Sequence, residues 1–338
     1  MNIDAKVDDK SAYRRRRYAV AAALAAIVVL AGAFCLWRIM LSPRIEVVEF
    51  SMLEPRDTPT AIAVAPDGTV WFTIDFTNAI GRIRNGKLER LTEPQTNLEP
   101  IGLAITTDGA AWYTDAAARQ VQRVAPGGEV TSFTLETPIA KLGKIAAAPD
   151  GSVWFAEASA YSITRLSDGK FGRHLIESVR AEPYGVAVAA DGTVWATLRA
   201  GNQLLCIAPD GAMKAFDIPT RGSSPTEIAV DSQGNVWFLE FRGDKVGRFK
   251  DGKFEEFPVG GGPSAGLTGL AVAPEGAVWF GMLRAGSLGR LRDGKIKHFR
   301  LPRESARPYS VAVDAAGNVW YADITGFVGK LPARIARR

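Results

Sequence analysis

Seven of the eight tryptophans in this chain of 338 residues are one position seen seven times. Trp71, Trp112, Trp154, Trp195, Trp237, Trp279 and Trp320 lie 41 or 42 residues apart, and each has a glycine three places before it, from Gly68 to Gly317. A fixed period of this size marks a repeat architecture, in which no single unit can bury its apolar face alone. The chain is therefore expected to fold as a series of like units.

Each unit reads as four strands. The first is an apolar alternation that opens at a proline or its substitute, as in Pro183-Tyr184-Gly185-Val186-Ala187-Val188, with the period of two that a strand requires. An Asp-Gly or equivalent then turns the chain into the Val-Trp-Phe strand, glycine supplying the positive φ of a tight hairpin. A third strand such as Val246-Gly247-Arg248-Phe249, a second turn such as Asp251-Gly252, and a fourth strand such as Phe254-Glu255-Glu256-Phe257 complete the unit. Four antiparallel strands in about 40 residues, repeated, describe an all-β fold, a seven-bladed β-propeller of four-stranded blades. The fifth residue of every first strand is alanine (Ala63, Ala104, Ala146, Ala187, Ala229, Ala271 and Ala312), as crowding of the inner strands would demand.

Seven blades account for nearly everything after residue 44, and a chain that is 47% hydrophobic can bury a substantial core. The net charge of +5 comes from clusters outside the blades, at Arg14 to Arg17 and at Arg334, Arg337 and Arg338. Inside the repeats the basic residues follow the period and form no stripe, which argues against a nucleic-acid partner.

Residues 1–17 read as a basic cytoplasmic tail. Residues 18–41 follow as a transmembrane helix, because Ala19 to Trp37 is 19 residues without a charge, roughly 28 Å as a helix. The arginines before it predict an inner-membrane, single-pass anchor with the propeller on the periplasmic or extracellular side. The alternative is a signal peptide cut after Ala31-Gly32-Ala33, giving a secreted protein. Cys35 and Cys206 are too differently placed to pair. Residues 42–332 form the propeller and 333–338 a basic tail. The last unit lacks a clear fourth strand, and Ile45 to Phe50 resembles one, so this segment is expected to close the last blade and join the two ends of the chain.

The residue after each opening proline and the residue three past each tryptophan share one face of the disc. The first set is Thr60, Ile101, Gly143, Tyr184, Thr226, Thr268 and Tyr309, with Lys144 and Glu227 one place on. The second includes Asp115, Glu157, Glu240 and Asp323. A propeller's axial mouth is a concave site with convergent polar groups, so Thr60, Lys144, Tyr184, Thr226, Thr268 and Tyr309 are candidate ligand-binding residues. Lys144 is expected beside Glu157. Glu227 and Glu240 are expected as neighbours that point into water, share a proton or bind a metal. Glu227, Glu240 and Asp323 are thus the candidate metal set for Mg²⁺ or Ca²⁺, and Tyr309 and Glu240 the candidate catalytic pair. The periodic arginines of the third strand are expected to be solvated blade edges.

The run Pro-x-Gly-Ile/Val-Ala-Val, Asp-Gly-x-Val-Trp-Phe, Ile/Val-Gly-Arg, Phe-x-Leu/Ile-Pro resembles the repeat of the virginiamycin B (streptogramin B) lyase family over residues 45 to 332. It is similar, more distantly, to NHL-repeat propellers and gluconolactonase-type hydrolases. The resemblance implies a magnesium-dependent lyase that opens a cyclic depsipeptide at its ester by elimination. It also implies a histidine after the last blade-opening proline, within Glu-Pro-His-Gly, and another opening the preceding blade. Here those places read Arg307-Pro308-Tyr309-Ser310 and Leu267-Thr268-Gly269, and the two histidines of the chain, His174 and His298, fall in fourth strands. Three readings follow: a propeller that binds a small cyclic ester, peptide or protein without full lyase activity, a metal-dependent lyase, and a gluconolactonase-type hydrolase.

Overall fold

The computed structural model describes residues 46–75, 79–91, 99–136, 141–178, 180–260 and 264–337. The expected cytoplasmic tail and membrane-spanning segment lie outside these residues. What they form is an all-β propeller of seven four-stranded antiparallel sheets. Blades 1 to 6 are continuous in sequence, at residues 58–90, 100–134, 142–175, 183–217, 225–258 and 267–300. Blade 7 takes three strands from residues 308–331 and its fourth from Val48–Ser51, which pairs with Phe327–Leu331 in the register Phe50↔Val328. The seam is reinforced by side chains, with Phe50 stacked on Trp320 at 6.1 Å. The segment Ala333–Ala336 forms a short helix that buries Ile335 and Ala336 against the last two blades.

The repeat motifs follow from contacts within and between blades. In Ile/Val-Gly-Arg the glycine lies under the aromatic ring that follows the repeat tryptophan. A Cβ at Gly81, Gly247, Gly289 or Gly329 would come within 2.4 Å of the ring of Phe72, Phe238, Phe280 or Tyr321. The arginine after it lies over the tryptophan, as Arg82 does over Trp71 at 5.8 Å and Arg248 over Trp237 at 5.5 Å. These arginines are therefore cation–π partners that shield the core, and the expected solvated edge is corrected. Blade 4 breaks the ladder, because Cys206 stands opposite Trp195. Neighbouring inner strands come closest at the glycine two places before the repeat alanine: a Cβ on Gly185 would meet the Thr226 carbonyl oxygen at 2.3 Å, and one on Gly102 would meet Ile145 N at 2.8 Å.

Candidate functional site

In all seven blades the first hairpin shifts register just after its opening residue, as between Pro183 and Val186. A bulge of this kind re-aims the side chains it carries, and here it sends the residues after the proline towards the axis. In blades 1, 2 and 4 a threonine two past the tryptophan (Thr73, Thr114 and Thr197) satisfies the displaced backbone. Thr197 Oγ1 accepts from Gly185 N at 2.9 Å and donates to the Thr226 carbonyl at 2.6 Å, while Thr114 does the same between Gly102 N (3.0 Å) and the Gly143 carbonyl (2.7 Å). These clasps tie the inner strands of blades 2 and 4 to the next blade, and sequence reasoning missed them.

Two adjoining cavities form the axial mouth. One, of about 260 Å³, is lined by Thr60, Lys144, Tyr184 and Tyr309 among others, and the second, of about 690 Å³, by Tyr184, Thr226, Glu227, Arg242, Thr268 and Tyr309 among others. All six candidate ligand-binding residues thus line the mouth. At its centre Lys144 Nζ sits 3.1 Å from Glu227 Oε1 and 6.0 Å from the ring centres of both Tyr184 and Tyr309. Burial opposes the ammonium charge, but Glu227 and the two phenols outweigh it and hold Lys144 above its ordinary pKa. Lys144 draws the Tyr184 phenol down, yet burial and Glu227 prevail and push it up to about 12. Arg199, ion-paired to Glu182, stacks on the same ring at 5.1 Å.

The expected partner of Lys144 was wrong. Glu157 is fully buried inside blade 3, bonded to Thr164 and to Arg173 Nε at 3.2 Å. The bulge turns Lys144 into the axis, where it reaches across blade 4 to blade 5.

The acids three past the tryptophan do not open into the mouth at all. Asp115, Glu157, Glu240 and Asp323 are each 0% exposed. Asp115 accepts from Glu99 N (2.9 Å) and Ala118 N (3.0 Å), and Asp323 from Arg303 Nη2 (2.8 Å), Arg307 N (3.0 Å) and Thr325. Glu240 is the exception: neither carboxyl oxygen has a hydrogen-bond partner among the described residues. Burial and then the neighbouring Glu256 push its pKa up to about 7.

The candidate metal set is therefore not assembled. Glu227 is held by Lys144, Asp323 by Arg303, and Glu240 lies apart beneath the surface. Among the described residues no three His, Cys, Asp or Glu come together as ion ligands. A divalent ion at Glu227 would also face the Lys144 ammonium. At 4 Å and an effective dielectric of 20 that repulsion is on the order of 8 kcal/mol, twice the value for unit charges. The donor set does not fit a resident divalent cation.

A larger groove, of about 890 Å³, lies at the opposite face among the hairpin turns of blades 5 to 7. Two of its aspartates are committed to their own turns: Asp231 Oδ2 accepts from Trp237 Nε1 at 2.9 Å and Asp314 Oδ2 from Trp320 Nε1 at 3.0 Å. The axial mouth is the better site.

The profile of the virginiamycin B lyase family matches residues 38–204 and 144–334, which together span most of the chain. The chain belongs to the virginiamycin B lyase family. A virginiamycin B lyase of Nocardia farcinica is 36% identical over 203 residues, covering 60% of this chain and 70% of that protein. Among solved structures, a catalytically inactive histidine-to-alanine variant of virginiamycin B lyase from Staphylococcus aureus with quinupristin superposes with a TM-score of 0.80 at 27% identity, over 84% of this chain and 98% of that one. A streptogramin B lyase structure gives the same TM-score at 25% identity over 84% and 96%.

In this member of the family the two histidines sit on outer strands. His174 is stacked on Trp154 at 5.2 Å, where burial and Arg165 hold its imidazole below its ordinary pKa. His298 Nε2 lies 3.0 Å from the Val259 carbonyl. At the axis the virginiamycin B lyase fold here carries Tyr309 and the Lys144–Glu227 pair.

Proposed function

We propose that this member of the virginiamycin B lyase family binds a ligand at its axial mouth and lacks the family's full lyase activity. The observation that carries this reading is the Lys144–Glu227 ion pair set between Tyr184 and Tyr309. Elimination needs a base with a pKa near neutrality, and the S. aureus relative without one histidine is described as catalytically inactive. The mouth here offers a protonated lysine, the carboxylate it holds, and phenols. Glu240, whose pKa lies in the useful range, is fully buried and lines neither cavity, so it cannot touch a ligand. Quinupristin, which accompanies the S. aureus relative, is the natural first probe. Incubating it with the full chain, with and without Mg²⁺, should give saturable binding and no ring-opened product by mass spectrometry. Ring opening that is lost in Tyr309→Phe would replace this reading with the lyase.

The lyase remains the second reading, favoured by the match to lyase structures over nearly their whole length. Tyr309 is then the candidate proton acceptor, since it stands after the last blade-opening proline. A gluconolactonase-type hydrolase ranks third, because no asparagine opens a blade to serve as a ligand. Residues 18–41 support an inner-membrane anchor with the propeller outside, or a cleaved signal peptide. Protease accessibility in intact and permeabilised cells tests that placement.

A further inference from the structure

We propose that the axial mouth takes its ligand through a carboxylate, held by the Lys144 ammonium without a divalent metal. This rests on the axial-binding reading above and adds the chemistry of the ligand.

An ammonium has three donors. One of Lys144's is directed at Glu227, 3.1 Å away, and among the described residues no protein acceptor meets the other two. Nor are they buried beyond reach: the Lys144 side chain keeps 12% of its exposure at the wall of the 260 Å³ cavity and Glu227 19% at that of the adjoining 690 Å³ cavity. An ion pair serving only to close the axis would have its remaining donors satisfied, because a buried donor left unmade is costly. The ammonium instead lies at the wall of the smaller cavity, between the Tyr184 and Tyr309 rings.

A second cation stands at the larger cavity: Arg199 there is cancelled by Glu182, and Glu227 by Lys144 from the smaller cavity, whereas Arg242 pairs with no acid among the described residues. Thr226 Oγ1, also on this wall, is buried without a partner. Phe241, Leu267, Leu283 and the faces of the two tyrosines supply apolar surface. A volume of this size fits a small organic ligand, and the lining fits one with an apolar or aromatic body and an anionic oxygen pair. A divalent ion would be repelled by Lys144, whereas a carboxylate completes its coordination.

The probes are 3-phenylpropanoate and its neutral amide, titrated into the full chain in EDTA and followed by protein NMR. The carboxylate is expected to bind in the millimolar range, at least tenfold tighter than the amide, and Mg²⁺ is expected to change nothing. Lys144→Met should remove that preference, and Arg242→Met should weaken carboxylate binding about threefold. Because Lys144→Met strands Glu227, the double variant Lys144→Met/Glu227→Gln, which removes both charges together, is run beside it. Equal binding of acid and amide, a requirement for Mg²⁺, unchanged affinity in the double variant, or no binding of either probe would each overturn the proposal. If quinupristin still binds in those cases, the axial-binding reading stands and only the carboxylate chemistry falls.

Discussion

Blades 5 and 7 carry an acid at the same repeat position and satisfy it in opposite ways. Glu240 and Asp323 both lie three past the repeat tryptophan and are both 0% exposed. Each also faces a second acid on the fourth strand, Glu256 opposite Gly247 and Glu49 opposite Gly329. In blade 7 one guanidinium serves both acids, with Arg303 Nη2 2.8 Å from Asp323 and Nε 2.9 Å from Glu49. Tyr321 adds its hydroxyl to Glu49 at 2.8 Å, and burial followed by that carboxylate raises the phenol's pKa. In blade 5 the cation is Lys245, which is committed to Glu256 and Thr220 at 2.6 Å each, and neither Glu240 oxygen has a hydrogen-bond partner among the described residues. A planar fork can bridge two carboxylates, whereas a point charge chooses one. The network with the fork holds the seam where the chain's ends meet, and the one without it stores a titratable acid.

Four experiments break or sharpen this contrast. The largest effect is expected from deleting residues 42–53, which removes Glu49 and the fourth strand and exposes a sheet edge. The melting temperature should fall by roughly 10 °C or more, whereas deleting 1–17 should leave it unchanged, and equal melting temperatures would refute the seam's importance. Next, Asp323→Ala removes one of the two carboxylates that Arg303 bridges and strands the Arg307 and Thr325 amides. A loss of about 3–5 kcal/mol by chemical denaturation is expected, and a loss under 1 kcal/mol would show that the network is dispensable.

The third concerns pH. Glu240 is raised from its unfolded value of 4.5 to about 7, so between those values the folded state binds more protons than the unfolded one. Stability should therefore fall as pH rises from about 4.5 through 7, by up to roughly 3 kcal/mol for a shift of this size. Glu240→Gln should flatten that slope and be the more stable protein at pH 8. A slope unchanged in Glu240→Gln assigns it to another group. The smallest effect belongs to Glu256→Arg, which copies into blade 5 the arrangement of Arg173 with Glu157 in blade 3. It should pair with Glu240 and stabilise the protein at pH 8 by about 1 kcal/mol, read as a shift in denaturation midpoint.

Much of this was legible in the chain itself. The tryptophan period counted the blades, because each unit must present the same buried face to its neighbour. The alternation after each proline marked the inner strands, and the residues it placed at the mouth, from Thr60 to Tyr309, do line it. The acids three past the tryptophan were misplaced: strand pairing puts Asp115 and Asp323 opposite the opening prolines, but their side chains turn inward to hold loop amides. Nothing in a linear pattern distinguishes a carboxylate aimed at a cavity from one capping its own loop.

By itself, then, the sequence determined the repeat, the number of sheets and the residue types that reach the axis, since these depend on contacts within 40 residues or between adjacent copies. Only the tertiary structure decided which charges meet. Lys144 pairs with Glu227 on a blade two away, and Arg303 joins Asp323 to Glu49 from the far end of the chain. Such pairings are set by closure of the ring and by the bulge that turns each inner strand, and both bring together residues whose separation along the chain carries no period.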